Sequence, residues 1–421
     1  MPTKTTLNNG LRIITQKMPA VRSVTVCMLI GTGSRYERDE IAGTSHFIEH
    51  LLFRGTQRKP RARDISETIE GLGGILNGGT DKEMTIYWCK VAREHLPVAI
   101  DLLADILLNS KFETEDIKRE RKVIIEEINI SYDSPQQRVS QLIDELLWPG
   151  HPLGRDIAGD KQSIKAITRD DLFDYMRLQY LPIKTVVSVA GHVDHEKVVT
   201  MVNHCYGDWS TKEGFVGFAP YKKQTNPRLC IERRDIEQIH FCLALPGLSL
   251  YHPQRFTLDL LNVILGEGMS SRLFCEVRDR LGLAYSINSF VEHLSDTGAI
   301  VIYAGVEPKN LKLTLRVVLE QLIRLKNEIV NEKELIKAKE MAKGRLLLRM
   351  EDSRSVAGWF GGQEVITRKI LGVNEVISII NDITAKDIQK LARELFIAKH
   401  LRLAVVGPVT ENEILGDLLK L

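Results

Sequence analysis

The chain has 421 residues, 43% of them hydrophobic and 27% charged, with a formal net charge of +2. That length implies two or three domains with ample core. The near-balance of charge argues against nucleic acid as the main partner, and no apolar run approaches the roughly 18 residues that would cross a membrane. The opening stretch, MPTKTTLNNGLRIITQ, lacks the apolar core of a signal peptide. Within it LRIIT reads as a strand, followed by the strand SVTVCMLIGTG. The next stretch, GTSHFIEHLLFRG (43–55), reads as a helix that Thr44 or Ser45 can cap and Gly55 can end. At about 100° per residue, His46, Glu49 and His50 fall at about 0°, about 300° and about 40°, one compact face. Phe47, Ile48, Leu51 and Leu52 take the opposite face, so the apolar stripe is complete without the histidines. Two histidines and a glutamate gathered off the core face form a candidate metal site.

Further on, GGILNGGTDKEMTIYW (73–88) reads as a strand entered through glycines, or as a glycine-rich hairpin. LPVAIDLLADILLNS and ETEDIKRERKVIIEEINI read as amphipathic helices. On the second, counted from Glu120 at the same pitch, Glu127 lies at about 340°, and Val123, Ile124 and Ile128 at about 300°, about 40° and about 80°. Glu126 falls at about 240°, beside Arg119 and Lys122. Periodicity therefore turns Glu120 and Glu127 inward, where an unpaired carboxylate is costly. A cation would compensate; so would an arginine or backbone donors. A catalytic zinc site usually takes three protein ligands, so one such carboxylate would complete the histidine pair. GHVDHEKV (191–198) also gathers His192, Asp194, His195 and Glu196. It follows the strand TVVSVA, however, and Asp194 is placed to cap the helix HEKVVTMVNHCYG, so it reads as a helix start.

The second half repeats the first. SVTVCMLIGTGSRY is echoed by QIHFCLALPGLSLY, aligning Cys27 with Cys242 at 215 positions (242 − 27). TIYWCKV is echoed by VIYAGVE, aligning Tyr87 with Tyr303 at 216 (303 − 87). A repeat of that length is a domain duplication. The expected fold class is α+β: two homologous α/β domains, each a mixed or antiparallel sheet packed with helices. The expected domains are 1–220 and 228–421, joined by the polar linker YKKQTNP (221–227). DLLNVILGEG (259–268) matches the helix that carries His46 and His50, yet holds no histidine, so the fold itself does not require those residues. The six cysteines, Cys27, Cys89, Cys205, Cys230, Cys242 and Cys275, contain no CxxC pair. They are expected to be reduced, mostly buried thiols of a cytoplasmic protein.

H-x-x-E-H is the inverzincin zinc signature. With Glu127 lying 77 positions on from His50 (127 − 50), the chain resembles the pitrilysin-type (M16) zinc metallopeptidases, in particular the two-domain branch that includes mitochondrial processing peptidase and its bacterial relatives. The resemblance covers nearly the whole chain. It implies one zinc per chain on His46, His50 and Glu127, with Glu49 as general base and Glu120 as a supporting acid. Asn77 and Gly78 look like the family's contacts to an extended peptide, although the family often has alanine where this chain has Gly78. Arg278 and Tyr285, in SSRLFCEVRDRLGLAYSI (270–287), match an arginine–tyrosine pair suited to polarising a peptide carbonyl. The implied activity is hydrolysis of peptides or presequence-like segments. The implied assembly is a homodimer in which the partner chain completes the active site. Two other readings are a scaffolding subunit of the same fold, which would have lost ligands that this chain retains, and a hydrolase of non-peptide substrates.

Overall fold

The computed structural model describes residues 1–210, 216–222, 228–409 and 412–421, so 223–227 of the expected linker lie outside the described residues. The first half runs β1 (Thr3–Thr6), β2 (Arg12–Lys17), β3 (Ser23–Ile30), α1 (Thr44–Leu52), β4 (Ile75–Thr80) and β5 (Thr85–Ala92). It continues through α2 (Leu96–Leu108), α3 (Thr114–Asp133), α4 (Pro135–Leu147), β6 (Thr185–Gly191) and α5 (His195–Tyr206). The second half carries β7 (Leu229–Arg233), β8 (Ile239–Pro246), α6 (Arg255–Leu265), β9 (Ala284–His293) and β10 (Gly298–Val306). After these come α7 (Glu332–Arg349), α8 (Ser353–Thr367) and β11 (Arg402–Gly407), with further helices between.

The chain forms two compact units, each around one sheet. The first sheet has the order β1-β2-β6-β3-β5-β4 and the second β7-β11-β8-β10-β9. From β2 onward they match strand for strand: the β2–β6 and β7–β11 pairs are parallel, and the remaining pairs antiparallel. The duplication is therefore real, and the fold is the expected two-domain α+β class. The register corrects one alignment. Cys27 lies opposite Trp88, and Cys242 lies opposite Tyr303. The counterpart of Tyr303 is thus Trp88, again 215 positions away (303 − 88), and not Tyr87. A slip of one residue moves a side chain to the other face of a sheet. Tyr87 accordingly packs in the core on the α1 side, whereas Tyr303 packs on the other face of its own sheet, among residues of α4.

Each unit also contains a segment from the opposite half of the sequence. The first comprises 1–128, 155–219 and 347–372; the second comprises 129–154, 220–346 and 373–421. In the first, Phe47, Ile48, Leu51 and Leu52 of α1 pack with α2 and α5 on one face of the sheet. Val356, Ala357 and Phe360 of α8 cover the other face, against Ile14, Cys27, Leu29, Val186 and Ala190. In the second, α4 plays that part, with Val139, Leu142, Ile143 and Leu146 against Cys242, Ala244, Val301 and Tyr303. A sheet buried on both faces explains why β3 and β6 are buried almost throughout.

All six cysteines are free, and the expectation of burial holds for Cys27, Cys89 and Cys242; Cys205 and Cys230 are half-buried and Cys275 is exposed. Burial pushes the Cys27, Cys89 and Cys242 thiols up to about 12, which makes them inert packing groups. Among the described residues no helix is long and apolar enough to cross a membrane.

Candidate metal centre

Helix α1 starts earlier and ends earlier than its sequence suggested. Gly43, not Thr44 or Ser45, is the N-cap, at φ 94°. A Cβ there would meet the Ala158 carbonyl oxygen at 2.5 Å, so glycine is required twice over. The orphan backbone donors are satisfied from outside the helix: the Glu37 carboxylate accepts from Gly43 N–H at 2.7 Å and Ser45 N–H at 2.6 Å. Phe53 is the C-cap, two residues before Gly55. Within these bounds the predicted phase holds. Phe47, Ile48, Leu51 and Leu52 are at most 1% exposed, while His46, Glu49 and His50 are half-buried on the other face.

On α3, Glu120 and Ile124 are fully buried, Glu127 is half-buried and Glu126 is exposed, as the helical phase requires. Val123 departs from it, at 37% exposure, and Ile128 is only half-buried, so the inward face is narrower than periodicity alone implies. Glu127 meets the histidines. Its Oε2 lies 3.7 Å from His46 Nε2 and 3.6 Å from His50 Nε2, and the two imidazole centroids are 4.6 Å apart. One ligand atom from each of His46, His50 and Glu127 falls within 4.8 Å of the others, the only such group of three among the described residues.

The surroundings suit a divalent cation. Three carboxylates, Glu49, Glu120 and Glu127, adjoin the histidine pair, and Glu120 is ion-paired with Arg54. Burial, reinforced by the neighbouring His50, pushes His46 down to about 4, which leaves it neutral and ready to ligate near pH 7. Its Nδ1 is buried without a hydrogen-bond partner. For His50, burial acts downward but is outweighed by the hydrogen bond to Glu120 and the charge of Glu127, so its pKa is raised. Two imidazoles and a carboxylate are a donor set that zinc accepts.

Glu49 sits beside this cluster. Its Oε2 accepts from Thr80 Oγ1 at 2.6 Å. Burial raises its pKa, and the Thr80 hydrogen bond and His50 offset only part of that rise. A carboxylate tuned upward is a better proton acceptor near neutral pH. Glu120 shows the reverse balance: burial alone would raise it, but His50 at 3.1 Å and Arg54 at 2.5 Å hold it below the usual range. Sequence reasoning missed Arg54, Thr80 and Glu37. Arg54 follows His50 by one helical turn, a spacing that could have flagged it; Thr80 and Glu37 act across tertiary contacts and carry no local signal.

Asn77 and Gly78 lie on β4, the edge of the first sheet, paired with β5 in a hairpin whose turn is closed by Asp81 N–H to the Met84 carbonyl at 2.8 Å. The side chain of Asn77 is exposed and its Oδ1 accepts from the Gly78 N–H at 2.7 Å. A Cβ at Gly78 would press on Glu49 Cγ at 3.0 Å and Phe53 Cε2 at 3.1 Å, so glycine there also leaves room for the glutamate. Arg278 and Tyr285 lie in the second unit. They flank the C-terminal end of a π-helical segment, Phe274–Arg280, with the guanidinium 5.2 Å from the ring centroid of Tyr285, which is 79% exposed. At the GHVDHEKV stretch, Asp194 caps α5 by accepting from Lys197 N–H at 3.1 Å. His195 is held between the Thr5 and Thr15 hydroxyls, at 2.8 Å each.

The second unit has the same frame with different chemistry. Gly78 lies opposite Tyr87, and Ser289 lies opposite Ile302, the counterpart of Tyr87. Where Glu49 packs on Gly78, Asn262 of α6 accepts from Ser289 Oγ at 2.6 Å, which equates Glu49 with Asn262 at 213 positions (262 − 49). Asp352 caps α8 as Ser134 caps α4, 218 positions apart (352 − 134). The same offset puts Ala338 at the place of Glu120 and Arg345 at that of Glu127 (338 − 120 and 345 − 127). With no histidine at the places of His46 and His50 and an arginine at that of Glu127, these positions cannot repeat the metal site.

The same division appears in comparisons with known proteins. Residues 12–161 match the family model described as Insulinase (Peptidase family M16), and residues 166–342 match that described as Peptidase M16 inactive domain. An uncharacterized zinc protease of Mycobacterium leprae is 36% identical over 425 residues, covering 99% of this chain and 94% of the relative. The uncharacterized zinc protease YmxG of Bacillus subtilis is 36% identical over 403 residues, covering 96% and 97%. A crystal structure of a protease from Helicobacter pylori shares the fold, with TM-score 0.90 at 24% identity over 97% of this chain and 99% of that one. With both halves matched by the family's models and full-length relatives at this identity, the chain is a member of the M16 peptidase family.

Proposed function

We propose that this protein is a zinc-dependent endopeptidase that cleaves peptides or presequence-like segments, with one zinc per chain. The observation that carries the reading is the convergence of both Nε2 atoms, of His46 and His50, on one oxygen of Glu127, with the Glu49 carboxylate alongside. His46, His50 and Glu127 hold the metal. When bound, zinc supplies the Lewis acidity that makes water a nucleophile near neutral pH. Glu49 is the base: its carboxylate takes the water's proton and delivers it to the departing amine, so no acyl-enzyme forms. Thr80 keeps one Glu49 oxygen anchored during the transfer. Glu120 accepts from His50 Nδ1 and so leaves Nε2 facing the metal. An extended peptide adds to the open edge of β4, where main-chain bonding ignores side-chain identity, and Asn77 and Gly78 contact it. Arg278 and Tyr285, stacked and accessible, polarise the scissile carbonyl.

We also propose a homodimer in which Arg278 and Tyr285 serve the zinc of the partner chain, and a cytoplasmic location that fits six free cysteines. Zinc content measured together with cleavage of a mixed peptide library tests the reading. Stoichiometric zinc with internal cleavage of peptides is expected. Zinc without any peptide cleavage would favour a hydrolase of other substrates, and neither zinc nor cleavage would favour a scaffolding subunit.

A further inference from the structure

We propose that Arg54 is a positioning residue of the metal site, acting on His50 through Glu120. This role presupposes that the cluster holds zinc as proposed above. Glu120 is 0% exposed, and its two oxygens have different partners. Oε1 forms an ion pair with the Arg54 guanidinium, Nη2 lying 2.5 Å away, and Oε2 forms the hydrogen bond to His50 Nδ1 at 3.1 Å. A carboxylate held at one oxygen only can turn about its terminal bond; with the ion pair holding Oε1, Oε2 is a more nearly fixed acceptor for the imidazole. That commits Nδ1 to Glu120 and leaves Nε2 toward Glu127, 3.6 Å away.

The duplication supplies an internal control. At the offset that equates Glu49 with Asn262, Arg54 falls on Glu267 (54 + 213). Glu267 forms an ion pair with Arg345, the counterpart of Glu127, while the counterpart of Glu120 is the buried Ala338. The fold therefore places a charged residue just after this helix in both units and pairs it with the neighbouring long helix. Only in the unit with histidine ligands is it a cation, and only there does it meet a fully buried carboxylate that bonds a ligand. Two effects of Arg54 on zinc oppose each other. Its positive charge disfavours a dication, but that charge is neutralised by Glu120 in direct contact, which leaves orientation as the dominant effect.

The test is the zinc dissociation constant of wild type, Arg54→Met, Glu120→Ala and the double variant, by competition with a chromophoric chelator, with thermal melts of each metal-free protein. Arg54→Met is expected to weaken zinc binding by about 10-fold, the low end of the roughly 10- to 100-fold cost of losing a ligand's own outer partner, here Glu120. In the Glu120→Ala background the same substitution should change it by less than about twofold, because the group it acts through is gone. Arg54→Lys, which keeps the charge without the planar fork, should recover part of the affinity. It also carries the comparison if Arg54→Met does not fold. Unchanged or tighter zinc binding in the folded Arg54 variants, or an equal loss with and without Glu120, overturns the role. A wild type that holds no zinc overturns the zinc reading along with it, whereas zinc in the wild type beside an unaffected Arg54→Met overturns this role alone.

Discussion

Glu126 and Glu127 are neighbours in sequence, yet the helix gives them different surroundings. Glu126 points to solvent, while Glu127 reaches both imidazoles. Glu127→Gln should therefore lower zinc affinity by at least the roughly 10- to 100-fold that loss of a mere supporting partner costs. Glu126→Gln should leave zinc content, read by metal analysis after dialysis, near wild type; equal losses would contradict the helical phase. That phase is legible in the sequence, because 3.6-residue periodicity needs only the order of side chains. The sequence also left open whether an arginine compensates the inward carboxylates. For Glu120 one does, since Arg54 pairs with it, whereas Glu127 faces the histidines. Thr80 and Glu37, which steady Glu49 and the start of α1, lie 31 and 8 residues from the groups they bond and leave no periodic trace.

Helix α8 shows how one element can demand opposite things of the same residue type. A Cβ at Gly361 would sit 2.4 Å from Leu29 Cδ1 and 2.8 Å from Ser188 Cβ, so glycine lets the helix lie close on the sheet. Gly358 and Gly362 face open space. Gly→Ala in a helix interior ordinarily gains about 0.5–1 kcal/mol. Gly358→Ala and Gly362→Ala should gain that much, while Gly361→Ala should lose about 1–3 kcal/mol by overpacking. Thermal or urea unfolding reads the difference; stabilisation at all three positions would show that α8 is not pressed against the sheet. Strand and helix runs were readable from composition and period, but the placement of α4 and α8 was not. An apolar stripe says that a helix must be covered, not which sheet covers it. The one-residue misalignment of Tyr87 with Tyr303 has a related cause, because similar residues alternate between faces and only the strand register decides which two correspond.

The metal cluster belongs to one unit and the Arg278–Tyr285 pair to the other. If the pair serves the partner chain's zinc, Glu49→Gln and Arg278→Ala chains should each be nearly inactive alone. Mixed after subunit exchange they should regain about a quarter of wild-type activity, since half the dimers are mixed and each has one good site of two. Mixtures as inactive as their parents, despite proven exchange, would place the pair with its own zinc or outside the mechanism. Proton transfer by Glu49 at a zinc held by His46, His50 and Glu127 has a more direct test. Zinc-loaded wild type and zinc-loaded Glu49→Gln are compared for cleavage of one peptide mixture, with zinc content and melting temperature determined on the same samples. Equal zinc, an unchanged fold and a loss of hydrolysis of about 10²-fold or more are expected; near-normal turnover by Glu49→Gln would remove that residue from the mechanism.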